Sequence, residues 1–219
     1  MKKVEEKPEL IQHIMSTAGE EIEIKFYHNS DGKPLTSAYN HALMTNEGDY
    51  FLFMHDDIEF LKPNWATELL RLFKDNPSYG IIGVAGSSEY KSMAEKEHGA
   101  WWRYKNIYGQ VLHRHEGKTW LTTFSPLLKK DLQEVVVIDG LFIAVDKRKI
   151  TKMFDEDFTF DHYDTSFCIS NFLDGKAKIG VTTNIRIAHN SIGQMRPNWE
   201  EALVKLNDKY GNKFPLRVQ

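Results

Sequence analysis

Tyr50-Phe51-Leu52-Phe53-Met54 runs straight into His55-Asp56-Asp57. Five apolar, aromatic-rich residues in a row read as a short strand buried on both faces, as in a sheet covered by helices. Carboxylates at the end of such a strand are costly unless water or a cation reaches them. In open α/β sheets, ligands collect at that end of the strands. This one segment therefore constrains both the architecture and the place to look for chemistry.

The surrounding pattern extends that architecture. Residues 8–15 place Leu10, Ile11 and Ile14 on one side of a predicted helix. Residues 21–27 alternate Ile22, Ile24 and Phe26 with polar neighbours, a strand pattern, and 29–34 form a turn cluster. Residues 35–44 read as a helix stopped by 46–49. Trp65, Leu69, Leu72 and Phe73 recur at helical spacing between Pro63 and Asn76-Pro77. Residues 80–85 predict a strand, 135–145 a strand broken at Asp139-Gly140, 160–173 a helix, 178–188 a strand and 199–209 a final helix. The alternation predicts an α/β fold: a mixed, mostly parallel sheet with helices on both faces. Residues 86–130 carry no sustained period and read as a long irregular lid or binding loop. With no repeat or linker, 1–219 reads as one domain.

Composition narrows the function classes. A formal net charge of -3 argues against broad electrostatic binding of nucleic acid, which needs a basic surface. The single cysteine, Cys168, excludes an internal disulfide framework, fits a reducing compartment and lacks an evident activating partner. No apolar run approaches the ~20 residues that span a bilayer, and no signal-peptide core follows the charged residues 1–7. The expectation is a cytoplasmic, non-membrane-spanning protein.

Several residues carry candidate chemistry, each beside a structural alternative. His55 and Asp57 fall on one side of an extended chain and Asp56 on the other. The pair can hold a divalent cation, or the acids can form a turn. Asp161 and Asp164 share a helix face, where a carboxylate can take a proton from an attacking hydroxyl. They can equally cap the helix and favour its dipole. His189 ends a strand and can ligate a metal or simply hydrogen-bond. Asp139-Gly140 allows close approach of a ligand or forms a bulge. Trp101 and Trp102 can stack on a sugar or base, or pack in the core. His113 and His115 lack the further ligands that zinc needs.

The order of these pieces resembles the inverting GT-A glycosyltransferases of family 2 and its relatives. The residues that carry the resemblance are Leu35-Thr36-Ser37-Ala38-Tyr39-Asn40, Gly48 through Asp57, Val137-Ile138-Asp139-Gly140-Leu141-Phe142-Ile143, Phe154-Asp155-Glu156, His162-Tyr163-Asp164-Thr165-Ser166-Phe167-Cys168 and Ile187-Ala188-His189-Asn190-Ser191. They span roughly residues 20 to 195.

The resemblance implies a GT-A, Rossmann-like fold and transfer of a sugar from a nucleotide-diphospho-sugar to a carbohydrate or glycan acceptor. His55-Asp56-Asp57 stands where the family carries a D-x-D-type motif, which holds Mn²⁺ or Mg²⁺ on the donor diphosphate. Asp57 matches the ligand, His55 replaces the usual first acid, and Asp56 goes with the donor. Tyr163-Asp164 stands where the family has Glu-Asp, which implies Asp164 as catalytic base with Asp161 as the fallback. His189 matches a metal or diphosphate ligand. Asp139-Gly140 matches a donor-sugar and acceptor wall, and Tyr39 and Asn40 the donor side. The family opens with a buried nucleotide-binding strand. Here charged residues 1–7 lead to a helix, so that strand is expected to be missing or supplied by another segment. A GT-A-like domain that binds sugar nucleotide, glycan or protein without catalysis is the alternative reading.

Overall fold

The computed structural model describes residues 7–25, 33–91, 99–124, 130–191 and 197–218. The chain opens with α1 (Pro8–Ala18), which Pro8 starts and the left-handed Gly19 stops. Then come α2 (Leu35–Thr45), β1 (Tyr50–Met54), β2 (Ile58–Phe60) and α3 (Trp65–Asp75). α3 buries Trp65, Leu69, Leu72 and Phe73, the stripe that its spacing predicted. Next are β3 (Tyr79–Gly83), β4 (Ala85–Ser87), β5 (Glu89–Tyr90), a single 3₁₀ turn at Trp101–Arg103, β6 (Ile107–His115) and β7 (Lys118–Thr123). The second half holds β8 (Gln133–Val135), β9 (Val137–Ile138), β10 (Phe142–Asp146), α4 (Tyr163–Asp174), β11 (Lys178–Val181), β12 (Ile187–His189), α5 (Trp199–Tyr210) and β13 (Leu216–Arg217).

The strands form two principal sheets. One has the order β1-β10-β3-β11-β8, the other β2-β12-β6-β4-β9 with β7 added beside β6. The chain steps from the first sheet to the second four times within a few residues: β1 to β2, β3 to β4, β8 to β9 and β11 to β12. It returns three times, through α3 between β2 and β3, between β7 and β8, and most briefly through Asp139-Gly140-Leu141 between β9 and β10. One hydrophobic core runs through both sheets and includes buried side chains of all five helices. Phe167 of α4 is fully buried and stacks on Phe154 at 4.0 Å. Truncating such a ring to alanine costs about 3–5 kcal/mol.

The α/β class holds, and strand direction corrects one expectation. Among the described residues, β3 with β11 and β6 with β12 pair in parallel, while the other ladders are antiparallel. Short links between the sheets reverse the chain without the long helical crossover that parallel neighbours need. The segment expected to be irregular carries the β6–β7 hairpin, whose turn uses Glu116 and Gly117 at positive φ. The strand predicted over 178–188 divides into β11 and β12, in different sheets. Residues 21–25 form no strand. The rest of that prediction, at 26–27, lies outside the described residues, as do residues 1–6 of the charged run that stands in place of the family's opening strand.

Candidate active site

The site is built on two of the links between sheets. β1 ends at Met54, and His55, Asp56 and Asp57 form the link to β2. The His55 amide donates to the Leu141 carbonyl at 3.1 Å, which ties this link to the returning one at Asp139-Gly140-Leu141. β12 pairs with β2 so that His189 lies opposite Ile58, and the Asn190 amide donates to the Asp57 carbonyl at 2.9 Å. Backbone pairing alone therefore brings His189 to the side of Asp57.

His55, Asp57 and His189 each offer a ligand atom, and these atoms all lie within 4.8 Å of one another. Asp57 Oδ1 is 3.3 Å from His189 Nε2, and the His55 and His189 ring centroids are 5.9 Å apart. His55 Nε2, Asp57 Oδ1 and His189 Nδ1 are buried without a hydrogen bond. Buried polar atoms left unpaired cost about 1–3 kcal/mol each, and a cluster of two imidazoles and a carboxylate suits a cation. Metal bonds of about 2.0–2.3 Å separate neighbouring ligand atoms by about 3–4 Å, so modest closure suffices. Burial lowers the His55 pKa, against the raising influence of Asp139 and Asp57. Burial pushes the Asp57 carboxyl up, but the His189 and Ser191 side chains and the His55 ring more than offset this and hold it at about 2. Burial thus favours a neutral His55 ring beside an ionised Asp57 carboxylate, the protonation state a cation requires of them.

Asp164 opens the first turn of α4. Its Oδ2 accepts from the Gly140 amide at 2.7 Å and its Oδ1 from its neighbour Thr165's amide at 2.7 Å. Tyr163 Oη donates to the Gly140 carbonyl at 2.9 Å, so the start of α4 grips both polar groups of Gly140. A Cβ at Gly140 would stand 2.4 Å from Tyr163 Oη and 3.1 Å from Asp164 Oδ2, so only glycine fits. Burial and the nearby Asp139 charge push the Asp164 carboxyl up to about 7. A carboxylate poised there exchanges a proton near neutral pH. Asp139 spends Oδ1 on the Leu141 amide at 3.0 Å, and its charge acts on both His55 and Asp164.

The other expected residues are occupied differently. Asp56 is exposed and pairs with Lys7, whose Nζ also donates to the Asp56 carbonyl at 2.8 Å. Asp161 lies in the turn before α4, half-buried. Tyr39 packs among Phe53, Phe154 and Tyr163, and burial drives its hydroxyl pKa up. Asn40 closes on the protein itself: Nδ2 donates to the Phe154 carbonyl at 2.8 Å and Oδ1 accepts from the Phe154 amide at 2.9 Å. Two neighbours were not anticipated. Ser191 Oγ lies 3.0 Å from His189 Nε2. His113 stands opposite His189 in the parallel β6–β12 ladder, with ring centroids 5.8 Å apart and a buried, unpaired Nδ1. The His113-x-His115 alternation was visible in the sequence, but the strand partner that makes it relevant was not.

Comparison with known proteins gives three results. The model of a glycosyltransferase-like family matches residues 2–210. A solved structure of GalNAc-T7 with UDP, GalNAc and Mn²⁺ has a TM-score of 0.58 and 12% identity, covering 97% of this chain and 41% of that one. At that identity the likeness is one of fold, the GT-A fold, and this chain spans less than half the length of that protein. A search of curated protein sequences returned no match.

Proposed function

The chain belongs to the glycosyltransferase-like family, and we propose that it moves a sugar from a nucleotide-diphospho-sugar to a carbohydrate or glycan hydroxyl with inversion. One observation carries the reading: a ligand atom from each of His55, Asp57 and His189 comes within 4.8 Å of the others at the end of β1. His55, Asp57 and His189 would hold a divalent cation. Their two nitrogens and one carboxylate suit Mn²⁺ better than Mg²⁺, which favours oxygen ligands. When bound, the cation supplies positive charge against the departing nucleoside diphosphate.

The chain's own groups would do the rest. Asp164 would take the acceptor proton as that oxygen attacks the anomeric carbon and the sugar–phosphate bond breaks. Attack opposite the leaving diphosphate inverts the centre. Asp139 and Gly140, fixed by Leu141 and α4, would wall the donor sugar.

A second reading has one observation in its favour. Asp164 already accepts from two backbone amides and from Thr165 Oγ1 at 3.3 Å, as a structural carboxylate would. On that reading the domain binds its ligand without transfer. Incubation with UDP-, GDP- and dTDP-sugars, with and without Mn²⁺, separates the two. Nucleoside diphosphate released only with Mn²⁺, and lost in Asp57→Ala, supports transfer. Metal-dependent binding with no release supports the second reading, and no binding of any donor sinks the transferase reading and leaves a domain that binds glycan or protein.

A further inference from the structure

Trp199 packs against an imidazole whose Nε2 has no hydrogen-bond partner. His162, in the turn before α4, adopts a left-handed backbone at φ 59° and is only 6% exposed. Its Nε2 is buried without a hydrogen bond, and burial lowers its pKa to about 4, so the ring is neutral. The Trp199 ring, at the start of α5, lies 4.6 Å from it at 43°. Trp102 is 37% exposed and meets Trp199 at 6.3 Å, nearly edge to face. Trp101 backs Trp102 at 5.9 Å and is itself buried against Phe124. Trp101 is thus the core residue of the pair, while Trp102 presents its ring to solvent.

This group is connected through the fold to both segments of the candidate site. His162 precedes Asp164 by two residues. The turn that carries Trp102 packs on β4 and β6, and β4 pairs with β9, which runs into Asp139. We infer that Trp102, Trp199 and His162 form the acceptor subsite, which takes one pyranose ring of a saccharide. The apolar C–H face of the sugar stacks on Trp102, and one hydroxyl bonds His162 Nε2. The inference rests on the transferase reading, because it sets an acceptor hydroxyl beside Asp164. A neutral nitrogen and open indole faces suit an uncharged amphipathic ring. A nucleic-acid strand would need phosphate contacts on a chain whose net charge is -3. The Trp199 ring lies against the His162 ring, so a sugar hydroxyl that reaches the buried Nε2 displaces the indole, and tryptophan emission changes with it.

The test applies the labelled full chain to a glycan array with UDP and Mn²⁺, and measures UDP affinity in parallel by calorimetry. Wild type captures a subset of saccharides. Trp102→Ala weakens that capture at least tenfold while UDP affinity stays unchanged, and Trp102→Phe restores most of it. Trp199→Phe removes the emission change on binding the captured saccharide. The inference is overturned if wild type captures no saccharide, or if Trp102→Ala captures the same set equally well. Capture that depends on Trp102 in a chain that binds no UDP refutes the nucleotide-sugar reading and leaves the saccharide subsite standing.

Discussion

The Gly140 amide donates to Asp164 Oδ2 at 2.7 Å, so the proposed base also anchors the loop that would wall the donor sugar. Proton transfer and loop geometry therefore meet in one side chain. Substitutions at Asp164 have to be judged on both.

Asp164 sits in protein that favours its neutral form, with its pKa at about 7. A base must be deprotonated, so kcat/KM rises with pH through about 7 and then levels. Stability runs the other way. The folded pKa lies above the unfolded one, so the stabilising contribution is full below about 4 and is lost as pH rises through about 7. Asp164→Asn abolishes transfer and spares donor binding. Asn keeps one of the two acceptor oxygens, so one backbone amide loses its partner at every pH. The variant nonetheless compares better with wild type at pH 8, where the wild-type carboxyl is ionised in a buried site, than at pH 5. Denaturant melts at the two pH values, together with donor titrations, check this. A donor affinity that fell as far as turnover would remove Asp164 from the role of base.

Asp57→Ala and His189→Ala each weaken Mn²⁺ binding at least tenfold, or about 1.4 kcal/mol, by isothermal titration. Wild type binds Mn²⁺ more tightly than Mg²⁺, because two of its three ligands are imidazoles. His55→Asp narrows that preference. Equal affinity for the two ions in wild type would argue against the two histidines as ligands.

Gly140→Ala drives a methyl group into Tyr163 Oη and toward Asp164. Overpacking of this kind costs about 1–3 kcal/mol. Thermal melts should show that loss, and turnover should fall further than stability does, because α4 loses its grip on the donor wall. A variant with wild-type turnover would show that the grip is not needed.

Asn40→Ala leaves the Phe154 amide and carbonyl without their partner. Two buried hydrogen bonds at about 1 kcal/mol each, plus some cost of unpaired groups, predict a loss of about 2–3 kcal/mol. UDP affinity at a temperature well below the melt stays within twofold. A large loss of UDP affinity there would return Asn40 to the donor site.

Much of the fold was legible because it rests on local rules. The stripe of Trp65, Leu69, Leu72 and Phe73 is a helix face wherever it occurs, and Tyr50–Met54 is a strand as expected, although it lies at the end of its sheet with only Phe53 buried instead of being buried on both faces. Strand direction was not legible. Alternation of strands and helices suggests parallel pairing, but links such as Val84 and Val136 are single residues that pass the chain between sheets. Nothing local marks a valine as such a step. The candidate site followed the same division. The candidacy of His55, Asp57 and His189 came from residue type and order. That Asn40 turns inward, that Asp56 meets Lys7, and that His113 neighbours His189 depend on strand register and chain packing, which only the assembled fold supplies.

The links between the two sheets have a mechanical consequence. His55 and Asp57 bracket the step out of one sheet, and His189 caps a strand of the other. A cation shared by these three would act as a rivet across the seam, resisting any sliding of one sheet over the other. Ion affinity would then serve as a strain gauge for the whole molecule, reporting on core changes far from the seam that tilt either sheet.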